Sequence, residues 1–236
     1  MNPQTFLHSG DMGDIIYGLP TIKELGGGIL FLDPTWDILS FNEEKVALLK
    51  PLLVAQPYID DVIIQNEIHA THNLNKFRLR NLNVFNDVGH NNLASSHLEA
   101  FGLSADLINE QWLIAGEKKV ANIIFHRSSR YHNEDFPWKD IVQKFQDQAI
   151  FVGLEGEHEQ FVKLFGDVPF YQVYDCLELA EIINAADLFI GNQSMPFAIS
   201  EGLHKKNCLE ICRESPNCNF KRDGHNIEAM NYARAK

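Results

Sequence analysis

No apolar run in the sequence approaches the roughly 20 residues that cross a bilayer, so no membrane span is expected. Residues 1–10 lack a basic stretch followed by a long apolar one, so no secretory signal is expected, and a cytoplasmic location is. Basic side chains never gather into a stripe; the nearest approaches are Lys205-Lys206 and Lys221-Arg222. With a formal net charge of -12, nucleic acid is not the expected partner. Cysteine is scarce: Cys176, Cys208, Cys212 and Cys218 are all there are. Three of them lie near His204 and His225, but without the paired spacing that binds zinc. They read as reduced, buried strand thiols, and no metal site is expected. The phosphate loop G-x-x-x-x-G-K-[ST], the dinucleotide fingerprint G-x-G-x-x-G, the nucleophile elbow G-x-S-x-G and the zinc motif H-E-x-x-H are all missing.

What is present is alternation. Apolar β-rich runs alternate with helical patterns along the 236 residues, the mark of an α/β chain with parallel sheets. Strands are expected at 5–9, 29–32 and 61–65, with helices from 15 and over 42–54, the latter capped by Asn42. Residues 66–95 show no period and read as irregular, with one or two short elements. A short helix over 95–101 takes Ser95 or Ser96 as cap. The pattern restarts near Gly116, with strands at 120–125, 149–152, 170–174, 188–190 and 208–211. Helices fall between them at 138–146, 155–165, 177–186 and 195–203. The boundary divides the chain into residues 1–115 and 116–236, each a β-α repeat.

Candidate chemistry sits where strands hand over to helices, because ligands gather at the carboxyl ends of parallel strands. His8-Ser9-Gly10-Asp11-Met12-Gly13-Asp14 is the first such turn. Asp14 suits two roles: a helix N-cap, or a general base that takes the proton of an attacking hydroxyl. Asn192-Gln193-Ser194 is the second. Ser194 either caps the following helix or places its free N–H groups on a phosphate. Glu201, further along that helix, either faces solvent or accepts hydrogen bonds from a ribose. Arg127-Ser128-Ser129-Arg130 is the third; two guanidinium groups with hydroxyls between them suit a diphosphate, or are plain surface arginines. Gly153 and Glu155 follow the strand at 149–152 and mark a rim, although Glu155 also suits a helix start.

The segment from Ser9 to Pro20 carries Gly13-Asp14 and then Pro20 six residues after the Asp. It resembles the amino-terminal motif of the heptosyltransferase-like glycosyltransferases of family 9. More loosely, residues 126–138 resemble the family's Ser-containing loop leading to an aromatic at a helix start. Residues 177–203 resemble its last helix–strand–helix nucleotide-binding unit.

The resemblance implies a GT-B fold: two Rossmann-like doubly wound domains with a cleft between them. The first half would take the acceptor, a glycan or other hydroxyl compound, against Ser9, Gly10, Met12 and Gly13. The second would take a nucleotide-sugar donor. Asp14 would be the base of an inverting, metal-independent transfer that needs no cofactor beyond the nucleotide-diphosphate sugar itself. Arg127, Ser128, Ser129, Arg130, Gly153, Asn192, Gln193, Ser194 and Glu201 would line the donor side.

Three departures leave the sugar, and ADP as its carrier, open. The chain is short for the family. The loop Asn133-Glu134-Asp135-Phe136-Pro137 leading to Trp138 lacks the family's Lys, and Asn192-Gln193-Ser194 stands where the family has Asp-Thr-Gly. They also motivate an alternative, a catalytically silent protein that binds a nucleotide or nucleotide sugar.

Overall fold

A computed structural model describes residues 3–34, 42–65, 69–79, 92–220 and 222. The first half runs β1 (Thr5–His8), α1 (Met12–Glu24), β2 (Gly28–Leu32), α2 (Glu43–Val54), β3 (Ile59–Ile64) and β4 (His72–Asn73). A 3-10 turn at Leu74–Leu79 and helix α3 (Leu93–Ala100) follow. The second half runs β5 (Ile123–His126), α4 (Trp138–Phe145), β6 (Ala149–Val152), α5 (Glu155–Phe165) and β7 (Phe170–Tyr171). It finishes with α6 (Cys176–Ala185), β8 (Leu188–Asn192), α7 (Met195–Gly202) and β9 (Asn207–Glu210).

The strands form two separate sheets, ordered β3-β2-β1-β4 and β7-β6-β5-β8-β9, with every pairing parallel. Each sheet starts in its middle, grows to one side and then jumps back to the other. That order creates a switch point between β1 and β4, and another between β5 and β8. Crevices for ligands open at the carboxyl ends of strands at such points. The ends of β1 and β5 carry the first and third turns singled out in the sequence.

Local chemistry explains the boundaries. Asn42 caps α2, its Oδ1 accepting the Lys45 N–H at 2.9 Å. The cap of α1 is Asp11, whose Oδ1 accepts the Met12 N–H at 2.9 Å. Asp14 is therefore an acidic residue of the first turn and not the cap. The cap of α3 is Asn92, in place of the expected Ser95 or Ser96. Asn92 Oδ1 accepts the Ser95 N–H and Ser95 Oγ accepts the Asn92 N–H, a reciprocal box that a serine closes as well as a glutamate does. Of the four thiols only Cys208 lies in a strand; Cys176 opens α6, and Cys212 and Cys218 follow β9. All four are buried, which pushes Cys176, Cys208 and Cys218 up to about 12. His225, near the cysteine cluster in sequence, lies outside the described residues.

One apolar core is shared by both halves. α1 packs on α7 and α2 on α6, joining Ile15, Leu19 and Leu49 to Ile183, Phe197 and Ile199. A second core of Phe125, Trp138, Phe151 and Phe161 covers the outer face of the second sheet. The crossing segment between the halves is stitched on both sides. Gln56 bonds both the N–H and the C=O of Ile114, and Tyr58 Oη donates to the Trp112 carbonyl. The N–H groups of Trp112 and Leu113 both reach the Gly202 carbonyl, at 3.1 and 2.9 Å. Among the described residues no helix is long and apolar enough to cross a membrane.

Candidate active site

A cavity of about 330 Å³ opens between the β1–α1 turn, the loop after β5 and the start of α7. Met12, Gly13 and Asp14 line it from the first half; Ser128, Arg130, Gln193 and Ser194 line it from the second. Seven of the residues expected at a site are thus brought to one space from distant parts of the chain.

The β1–α1 turn is held from beneath by two histidines. The Gly10 N–H donates to His8 Nδ1 at 2.9 Å, and His8 Nε2 meets His97 Nε2 at 3.1 Å. His97 Nδ1 donates to the Leu93 carbonyl at 2.7 Å. That chain fixes both tautomers. His97 carries its proton on Nδ1, so its Nε2 accepts from His8 Nε2–H, and both rings are neutral. Both are fully buried, and burial is the main cause that depresses their basicity. Gly10 is required by this crowding: a Cβ there would lie 2.7 Å from Asp14 Cβ, Asp14 Oδ2 and His8 Cε1. Ser9 donates to Asn75 Oδ1 through both its N–H and its hydroxyl, tying β1 to the segment after β4. Ser9 and Gly10 support the turn without lining the cavity.

A pH dependence of stability follows. Burial lowers His97 from its ordinary 6.5 to about 4. Below its ordinary value the unfolded imidazole takes up a proton that the folded one refuses. The unfolded state then binds more protons, so stability falls as pH falls from about 6.5 toward 4, by about 1.4 kcal/mol per unit for this one group. Urea unfolding at pH 7 and pH 5 measures the slope. A His97→Gln variant should flatten it, and an equal slope in that variant would exclude this origin.

Charge in the cavity is mixed. Asp11 Oδ2 lies 3.4 Å from Arg130 Nη2 and its Oδ1 lies 3.5 Å from Lys45 Nζ, so one carboxylate spans cations from both halves. Asp14 Oδ2 lies 3.5 Å from Arg78 Nη2. The first turns of α1 and α7 both border the space and add their positive ends. At its second-half wall, buried His126 donates from Nδ1 to the Val152 carbonyl at 2.8 Å. Burial lowers its basicity, partly offset by the Glu157 carboxylate beside it.

The remaining expected residues are placed elsewhere. Arg127 does not face the cavity. Its guanidinium grips Glu210 through Nε and Nη2 at 2.8 and 2.9 Å, with both side chains buried. Glu210 also accepts the Trp138 indole N–H and the Asn133 N–H, both at 2.8 Å. Asn192 is the last residue of β8, and its side chain clamps the loop by accepting from Ser128 N–H and donating to the Ser128 and Arg130 carbonyls. Gln193 borders the cavity, but its amide is engaged by the chain after β9 at Ser215, Asn217 and Cys212. Glu201 is neither solvent-facing nor at the cavity; it is wholly buried, paired with Arg222 and bonded to Asn207 Nδ2. Ser129 is exposed on the outside of its loop. Gly153, with φ at +147°, sits where a Cβ would press to 3.0 Å on both His126 Nδ1 and Glu157 Oε2.

Solved structures bear on this arrangement. A family 9 glycosyl transferase from Veillonella parvula superposes with a TM-score of 0.57 at 13% identity, covering 98% of this chain and 87% of that one. TibC, an iron-containing dodecameric glycosyltransferase from enterotoxigenic E. coli, gives 0.54 at 14% identity over 88% of this chain and 57% of its own. TibC in complex with ADP-D-beta-D-heptose gives 0.59 at 15% identity, over 94% and 62%. The chain has the fold of the family 9 glycosyltransferases. No family profile matches the sequence, and no curated protein matches it.

Within this family 9 fold, sequence reading missed Lys45, His126 and Tyr131 at the cavity wall. His126 was within reach, being the last residue of a strand at a switch point. Lys45 follows β2 in the first turn of α2, a place that only the sheet order brings to the cavity. Tyr131 carried no signal at all, since its placement depends on a φ of +60°.

Proposed function

We propose that the chain is a glycosyltransferase that moves a sugar from a nucleotide-diphosphate donor to an acceptor hydroxyl, with inversion and without a metal ion. Residues 1–115 form an acceptor-side domain and residues 116–236 a donor-side domain, with the cavity as the cleft between them. The observation that carries this reading is one small space bordered by Asp14 on one side and by Ser128, Arg130 and Ser194 on the other. A carboxylate opposite an anion cradle is what a direct displacement at an anomeric carbon requires.

In the step itself the acceptor oxygen attacks the anomeric carbon and passes its proton to Asp14. The bond from that carbon to the phosphate oxygen breaks, and the diphosphate leaves with the electron pair. Arg130 and the amino end of α7 stabilise the charge that develops there, with Lys45 adding to the field. The likeness to family 9 structures supports the same assignment, because one of them is described in complex with ADP-D-beta-D-heptose.

Thermal melting against a panel of nucleoside diphosphates and their sugars tests the reading. A ligand at 100 times its Kd adds about 2.7 kcal/mol, roughly a 5–10 °C rise for a chain of this size. Release of free nucleoside diphosphate on adding an acceptor then reports transfer. No rise with any member of the panel would overturn the proposal.

A further inference from the structure

The loop after β5 is more firmly anchored than a phosphate grip needs. Ser128 is held by Asn192, whose Oδ1 accepts its N–H at 2.9 Å and whose Nδ2 also binds the Arg130 carbonyl. His132 Nε2 donates back to the Ser128 carbonyl at 2.7 Å, and the Asn133 N–H is fixed on buried Glu210 at 2.8 Å. Residue 131 lies between these anchors. Its φ of +60° is a left-handed conformation that a tyrosine adopts only when its surroundings impose it. The outcome is a large ring, 39% exposed, at the cavity wall with the Arg130 guanidinium 5.4 Å from its centroid.

We infer that Tyr131 is the platform on which the ring of the transferred sugar lies, so that this residue discriminates among donors by their sugar. The inference rests on the glycosyltransferase reading above. Arg130 and Tyr131 are consecutive, so a ligand whose phosphate meets Arg130 brings its neighbouring ring to Tyr131. The reacting carbon must also stand near Asp14, which borders the same space. Only the ring bonded directly to the diphosphate, on its reacting side, meets both conditions. The nucleobase lies beyond the diphosphate and the ribose. An aromatic face receives the C–H face of a sugar ring and is indifferent to the charge that Arg130 handles.

Isothermal titration of the full chain tests this with the tightest-binding nucleoside diphosphate from the panel and its matching sugar nucleotide. Tyr131→Ala should leave the diphosphate Kd within about twofold and weaken the sugar nucleotide about tenfold; Tyr131→Phe should keep both. Retained diphosphate affinity shows that the variant is folded. Tyr131→Gly, which accepts the left-handed backbone, should melt no lower than wild type and still lose the sugar increment. Equal weakening of both ligands would place the nucleobase on Tyr131 and overturn the inference, and so would no change in either. If wild type binds no member of the panel, the donor reading falls first and this inference falls with it.

Discussion

An Asp14→Asn variant is expected to bind nucleotide as wild type does and to lose turnover by roughly 10²–10⁴-fold, the usual worth of a positioned general base. The substitution preserves shape, which matters because Asp14 packs against Gly10 and His8 in a turn without spare room. Its ion pair with Arg78 is long, at 3.5 Å, and both side chains keep more than a quarter of their surface in water. Losing that attraction should change stability by less than about 1 kcal/mol. A fall in rate would therefore report chemistry and not unfolding. Titration calorimetry gives the nucleotide Kd, and single-turnover transfer gives the chemical step. Unchanged turnover would remove Asp14 from the mechanism.

Glu210→Ala is expected to destabilise the fold by about 3–5 kcal/mol, because it strands the buried Arg127 charge. For a chain of this length that corresponds to a melting temperature lower by roughly 10 °C. The side chain is fully buried and takes four donors: two from Arg127, one from Trp138 and one from the Asn133 backbone. The effect extends to the site, since Asn133 ends the loop that carries Arg130. Nucleotide affinity should fall in parallel, measured below the variant's own melting temperature. Removing Arg127 as well, as Arg127→Met with Glu210→Ala, should cost less than the sum of the two single changes. Additive costs in denaturant unfolding would show that the two side chains do not act as a pair.

Much of the fold is legible because parallel α/β architecture leaves a periodic trace. Strand and helix order was readable from residue 116 onward almost element by element, and Asn42 revealed its own cap. What failed was whatever depended on distant partners. Arg127 and Arg130 look equivalent in sequence. Yet β5 lies two strands from β9, and that placement delivers Glu210 to one arginine and leaves the other at the cavity. Glu201 looked like a ribose ligand only while its helix face was unknown; Arg222 claims it from the far end of the chain. Asp11 and Asp14 compete for one cap, and the competition is settled by three-dimensional fit: Gly10 lets His8 and Asp14 crowd together, and the helix starts early.

The stitched crossing between the halves sets the scale of any movement. Where Gln56, Tyr58 and Gly202 fasten residues 112–114 from both sides, the backbone acts as a rivet and not as a swinging hinge. Any opening of the proposed cleft is then a local displacement over ångströms, not a swing of one half against the other. A protein riveted in this way should resist proteolytic cutting at residues 112–114, because the backbone that a protease would need to grip is already hydrogen-bonded on both sides.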